Sequence, residues 1–149
     1  MNIFIDMDGV LCDLNRITIT QEQWDTDSTI CLYKEPTTLV HFFNVYEEQL
    51  KSHNVTILTN IPDCKLFKTH CECKRKWLKS HLDFKYKVKF NKEGKPKSKY
   101  IIETGDILVD DSLSNLDDWQ KGGGTAIHVS TLLTNRGEAL FSKLLRFNV

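Results

Sequence analysis

Residues 1–15 read MNIFIDMDGVLCDLN. The apolar run Asn2–Ile5 is short and unbroken, as befits a strand buried on both faces. It stops at two aspartates one residue apart, Asp6 and Asp8, with Gly9 behind them. A lone aspartate at a strand end commonly does no more than cap the next turn. Two carboxylates side by side at the end of a buried strand repel each other and resist desolvation, so they call for a compensating charge. Whether they do chemistry depends on what the rest of the chain brings to the same edge.

Further along, strand and helix patterns alternate. The spacing of Leu39, Phe43, Tyr46 and Leu50 predicts a helix over Thr37–Ser52, opened by Pro36 and Thr37. Val55–Thr59 is a β-branched strand. Leu66–His81 predicts a helix carrying Trp77 and Leu78. Phe84, Tyr86, Val88 and Phe90 alternate with Lys85, Lys87 and Lys89, the period of a half-buried strand. Asn91–Pro96 is a turn, and Ser98 can cap a short helix ending near Gly105. Ile107–Val109 is a strand ending at Asp110 and Asp111. Leu113–Gln120 predicts a helix, Thr125–Val129 a strand, and Asn135–Phe147 a closing amphipathic helix. Asn15–Glu35 is irregular and contains Trp24.

Strands separated by helices predict an α/β fold, a Rossmann-like, doubly wound parallel sheet in one domain. In such sheets ligands bind beyond the carboxyl ends of the strands. That edge would gather Asp6 and Asp8 from the first strand, Thr59 and Asn60 from the second, and Asp110 and Asp111 from the fourth. Lys97 and Lys99 come just before the fourth strand. Clustered carboxylates need a cation, and a hard divalent ion such as Mg²⁺ suits oxygen ligands beside a phosphate.

The stretches Asp6–Leu11, Ile57–Thr59, Lys99 and Asp106–Asp111 resemble, in order, the four motifs of the haloacid dehalogenase-like phosphatases. Asp6–Asp13, Lys74 with Trp77, and Gly105–Asp111 further resemble the 5'(3')-deoxyribonucleotidases of that superfamily. The resemblance implies Asp6 as the nucleophile forming an aspartyl-phosphate and Asp8 as the acid and base. It implies Mg²⁺ held by Asp6, the Asp8 carbonyl and Asp111, with Asp110 as a direct or water-linked ligand. Thr59 and neighbouring backbone N–H groups would bind phosphate. Lys99 would neutralise developing charge, with Lys74 as a second phosphate ligand and Lys97 as the alternative lysine. Asn60 and Trp24 complete the expected substrate contacts, Trp24 by stacking on a base; the competing reading of Trp24 is core packing. The family's helical cap would be reduced here to about Asn15–Glu35, because only fifty residues separate Asp8 from Thr59.

Bulk properties narrow the classes. The chain has 149 residues and 40% apolar content, enough for one core. No apolar run approaches a membrane span, and the N-terminal residues do not read as a secretory signal, so a cytoplasmic protein without a membrane partner is expected. Five cysteines, an odd number, argue against a disulfide framework. Cys64, His70, Cys71 and Cys73 raise a zinc alternative, but their spacing fits no ordinary finger. Net charge is zero, yet Lys65–Lys99 holds thirteen Lys or Arg against three acids, a local +10 balanced by −10 elsewhere. Such a segment suits a phosphate-bearing partner, or, along the alternating strand, the lysine guard of a sheet edge.

Three readings of function follow: a phosphatase for nucleoside monophosphates, a phosphatase for a large substrate such as a phosphorylated nucleic-acid end, and a binding module without turnover. The intact set of Asp6, Asp8, Thr59, Lys99 and Asp111 argues against the third.

Overall fold

A computed structural model describes residues 1–13, 18–30 and 34–147, with only the backbone of Phe147. Its centre is one parallel sheet of β1 (Asn2–Ile5), β2 (Asn54–Ile61), β3 (Lys87–Lys92), β4 (Ile107–Asp110) and β5 (Thr125–His128). The strand order is β3-β2-β1-β4-β5. The chain therefore runs outward from β1 through β2 to β3, returns to β4 beside β1, and ends at β5. The reversal lies between β1 and β4, where a crevice opens at the carboxyl ends of the strands.

Side chains leave a strand alternately to its two faces. On one face Ile3, Ile5, Ile57 and Val109 meet Leu39 and Phe43 of α2 (Thr38–Val45), Trp77 and Leu78 of α4 (Phe67–His81), and Phe141 and Leu145 of α7 (Asn135–Phe147). On the other, Phe4, Leu58 and Leu108 meet Leu116 and Trp119 of α5 (Leu113–Lys121). Trp119 stands edge-on to Phe4 with ring centres 5.0 Å apart, and its Nε1 donates to the Asp106 carbonyl at 2.7 Å. The α/β parallel architecture thus matches the expectation, with helices on both faces.

Several boundaries differ from the sequence pattern. The helix expected over Thr37–Ser52 breaks at Tyr46 into α2 and α3 (Glu47–Leu50). At the break Tyr46 leaves helical geometry, packs on Phe141 and donates its hydroxyl to Glu138 at 3.3 Å. The helix expected from Ser98 to Gly105 is only a 3₁₀ turn, Lys97–Tyr100. Asp106 explains the stop: its Oδ2 accepts the N–H groups of Ile102 at 2.8 Å and Glu103 at 3.0 Å, replacing helical bonds. Ser98 does not cap; its N–H and hydroxyl donate to Asp118 at 3.0 and 3.1 Å. The ladder of β3 begins three residues later than the alternation, although Phe84 is buried as the pattern requires. Two short helices, α1 (Gln21–Thr26) and α6 (Val129–Leu132), were not anticipated. Among the described residues, no helix is long and apolar enough to cross a membrane.

Candidate active site

The end of β1 is tied to β4 where the Asp6 N–H donates to the Val109 carbonyl at 2.9 Å. The chain then turns tightly: the N–H groups of Val10, Leu11 and Cys12 converge on the Met7 carbonyl at 3.2, 2.9 and 3.1 Å. Gly9 makes this turn at φ +78° and passes against Asp111, so closely that a Cβ would lie 2.1 Å from Asp111 Oδ2. Both constraints demand glycine. Gly9→Ala is expected to displace Asp111 and to weaken Mg²⁺ binding by the carboxylate cluster about tenfold or more; a Mg²⁺ titration of the melting temperature checks this.

Asp110 is fully buried and heavily held. Its Oδ1 accepts the Ser112 N–H at 2.9 Å, and its Oδ2 accepts Asn115 Nδ2 at 3.1 Å and Lys97 Nζ at 2.8 Å. Lys97, itself 1% exposed, also donates to Asp6 Oδ1 at 2.9 Å. Asp6, Asp110 and Asp111 each offer a ligand oxygen, all within 4.8 Å of one another. Asp8 is not in this trio. Its Oδ2 accepts Lys74 Nζ at 2.8 Å, and its Oδ1 pairs with Lys34. Lys74 is buried in α4 and also donates to Thr59 Oγ1 at 2.6 Å and the Asn60 carbonyl at 2.9 Å.

The structure therefore brings Asp6, Asp8, Thr59, Asn60, Lys74, Asp110 and Asp111 together, and corrects one assignment. Lys97, not Lys99, reaches the carboxylates. In the 3₁₀ turn residues two apart point to different sides, and Lys99 is exposed on another surface with its Nζ 5.2 Å from the Tyr100 ring centre. Trp24 lines the cleft, and its ring stands edge-on to His70 at 5.0 Å. That combines packing with access to the cleft. Cys12 lies buried beneath Asp8, with Sγ 3.5 Å from Asp8 Oδ1. Cys71 and Cys73 are buried in α4, and Cys31 falls outside the described residues.

Sequence reasoning missed three contributors. Lys34 comes from the irregular stretch, and its carbonyl accepts Trp77 Nε1 at 2.7 Å; no local pattern marks it. Asn115 was hidden as an ordinary residue of α5. His128, the last residue of β5, lies with Nε2 3.2 Å from the Asp111 carbonyl. By contrast, α1 carried a visible signal: Thr20 and Gln23 form a reciprocal capping box. It docks on the loop before α4, where the Lys65 N–H donates to Asp25 Oδ1 at 2.9 Å.

Four carboxylates (Asp6, Asp8, Asp110, Asp111) face three ammonium groups (Lys34, Lys74, Lys97). The titration directions reflect that imbalance. Burial, together with the charges of Asp110 and Asp8, pushes the Asp6 carboxyl up to about 7 against the pull of Lys97. Burial and then Asp110 raise Asp111. Burial opposes the charge on Lys97, but Asp6 and Asp110 outweigh it and hold the proton more tightly than usual. Burial also opposes ionisation of Asp8, yet Lys74 and Lys34 together hold its carboxyl below the usual carboxylate range. Excess negative charge at three converging carboxylate oxygens is what a hard divalent cation relieves, so this donor set fits Mg²⁺.

A cleft of about 750 Å³ opens over these groups. Its floor carries Asp6, Asp8, Asp110 and Asp111, and its walls include Ile19, Trp24, Ile30 and Pro62. Carboxylates able to hold a metal, buried lysines and an apolar wall together suit an anionic ligand with a flat or apolar part. Set against known protein families and curated proteins, the chain matches no family model and no curated sequence.

Proposed function

We propose that the protein is a Mg²⁺-dependent phosphomonoester hydrolase of the haloacid dehalogenase-like kind, acting on deoxynucleoside or nucleoside monophosphates through an aspartyl-phosphate. The observation that carries this reading is the meeting of Asp6, Asp110 and Asp111 at the sheet's reversal point, beside buried Lys97 and Lys74. Asp6, Asp110, Asp111 and the Asp8 carbonyl would hold the metal, which when bound neutralises charge on the phosphoryl oxygens. Asp6 attacks phosphorus, and the ester oxygen leaves. Asp8 gives that oxygen a proton, then takes one from the water that attacks the aspartyl-phosphate, releasing inorganic phosphate and restoring Asp6. Lys97 and Lys74 stabilise the charge that spreads over the equatorial oxygens. An incoming phosphate also competes with Asp8 for Lys74, which raises the proton affinity of Asp8 in the direction that donation requires.

The nucleotide part of the reading rests on the apolar wall. Ile19, Trp24, Ile30 and Pro62 suit a flat base, and stacking contributes about 1–3 kcal/mol per base. Trp24→Ala is expected to raise KM for nucleoside monophosphates about tenfold, while leaving turnover of a small aryl phosphate within a few-fold. Steady-state kinetics on both substrates check it. The second reading, a phosphorylated nucleic-acid end, is favoured by the +10 segment.

Phosphate release from nucleoside monophosphates, sugar phosphates and phosphorylated oligonucleotides, with Mg²⁺ and after chelation, tests the proposal. Mononucleotides should lead. If sugar phosphates outpace every nucleotide, the substrate class is wrong. If no monoester is hydrolysed, the whole reading falls.

A further inference from the structure

The register Thr56↔Lys87 and Leu58↔Lys89 puts both lysines on the same sheet face as Phe4 and Leu108. On that face α5 packs over β4 and β5. The half belonging to β2 and β3 forms a groove of about 470 Å³, lined among others by Lys87, Lys89, Lys99, Tyr100, Asn54 and Thr56. Asn2 at the start of β1 and Asn54 at the start of β2 belong to this groove, whereas the acidic cleft lies beyond the strands' carboxyl ends. The two sites share no lining residue.

We propose that this lysine-lined groove binds the phosphodiester backbone of single-stranded nucleic acid. Lys87, Lys89 and Lys99 are exposed, and no carboxylate among the described residues lies within 4.0 Å of their ammonium groups. Among the described residues, no Asp or Glu lines the groove. Lys87 and Lys89 are spaced about 6.6 Å along the strand, a rise of two residues, which is comparable to the step between phosphates of an extended strand. Lys99 adds a third charge from outside β3. Tyr100, half-buried against the Phe4 and Leu58 cluster with the Lys99 ammonium 5.2 Å from its ring centre, forms part of the groove wall, and the exposed Asn54 offers a polar group to a sugar. Guarding the edge accounts for lysines on β3, which among the described residues pairs only with β2. It does not account for Lys99.

The test uses fluorescence anisotropy of an oligothymidylate labelled at an internal base, with hydroxyl groups at both ends. This probe has no phosphomonoester, so its binding does not depend on the phosphatase reading. Wild-type protein should bind it at low salt and lose affinity as salt rises. The combined change Lys87→Gln, Lys89→Gln, Lys99→Gln should weaken binding at least tenfold. It should also flatten the log–log salt dependence by about two, at about 0.7 per lost phosphate contact. Circular dichroism and melting should show an intact fold, and arginine at the three positions should restore binding. Lys99→Gln alone should weaken binding several-fold should the triple variant fold poorly. The proposal is overturned if wild type does not bind the probe, if neither variant weakens binding, or if polyglutamate or phosphatidylserine vesicles bind while the oligonucleotide does not.

Discussion

Asp6→Asn should lower the rate of phosphomonoester hydrolysis by at least about 10³. The substitution removes the carboxylate proposed to attack phosphorus and one of the three converging oxygens that would hold the metal, while keeping the side chain's size. It should not unfold the protein. Burial and the charges of Asp110 and Asp8 push the Asp6 carboxyl up to about 7 without metal, so ionised Asp6 works against the fold at higher pH. The linkage sign follows. A carboxyl with a raised folded pKa loses stability as pH rises through its ordinary value toward the folded one, and asparagine escapes that loss. In metal-free buffer above pH 7 the variant should therefore melt at or above the wild-type temperature. Inactivity with undiminished stability separates the chemical role from a structural one. Near-normal phosphate release by Asp6→Asn would remove Asp6 as nucleophile.

Lys97→Ala should cost about 10² or more in rate, and Lys99→Ala should stay within a few-fold of wild type. The contrast is large because the two lysines face different surfaces. Lys97 is 1% exposed and bridges Asp6 and Asp110, whereas Lys99 lies over Tyr100 in the open. Lys97→Ala also leaves two buried carboxylates without their shared ammonium, a loss on the order of 3–5 kcal/mol for a broken buried pair. Added Mg²⁺ should raise the melting temperature of this variant more than that of wild type, since a cation binding there replaces the missing charge. Kinetics and melting curves of both variants decide the matter. A severe Lys99 defect beside a mild Lys97 one would reverse the assignment.

The parallel sheet was legible because its strands are apolar or β-branched runs and the helices between them keep their period. The candidate site was legible where carboxylates mark the stop of a buried strand, Asp6 and Asp8 after β1 and Asp110 and Asp111 at the end of β4, whereas Thr59 lies inside β2, two residues before its end. Lys97 and Lys99 could not be told apart, because the choice depends on the 3₁₀ turn, and that turn is set by Asp106 capturing the N–H groups of Ile102 and Glu103. Lys34 was illegible for a different reason. Its approach to Asp8 is set by a tertiary bond from Trp77 to its carbonyl, across 43 residues of sequence. The break at Tyr46 likewise depends on Phe141 and Glu138, which no local pattern near Tyr46 announces.

In the proposed mechanism Asp6 becomes phosphorylated during turnover. Asp8→Asn should slow hydrolysis of the aspartyl-phosphate more than its formation from an aryl phosphate, whose leaving group needs no proton. The direct measurement is the intact and peptide mass of Asp8→Asn protein, quenched in acid seconds after mixing with aryl phosphate and Mg²⁺. The peptide containing Asp6 should gain one phosphoryl group, lost on hydroxylamine treatment and absent from the Asp6→Asn, Asp8→Asn double variant. Wild-type turnover of the same substrate with no phosphoryl group on Asp6, or with the label on another residue, would contradict the mechanism.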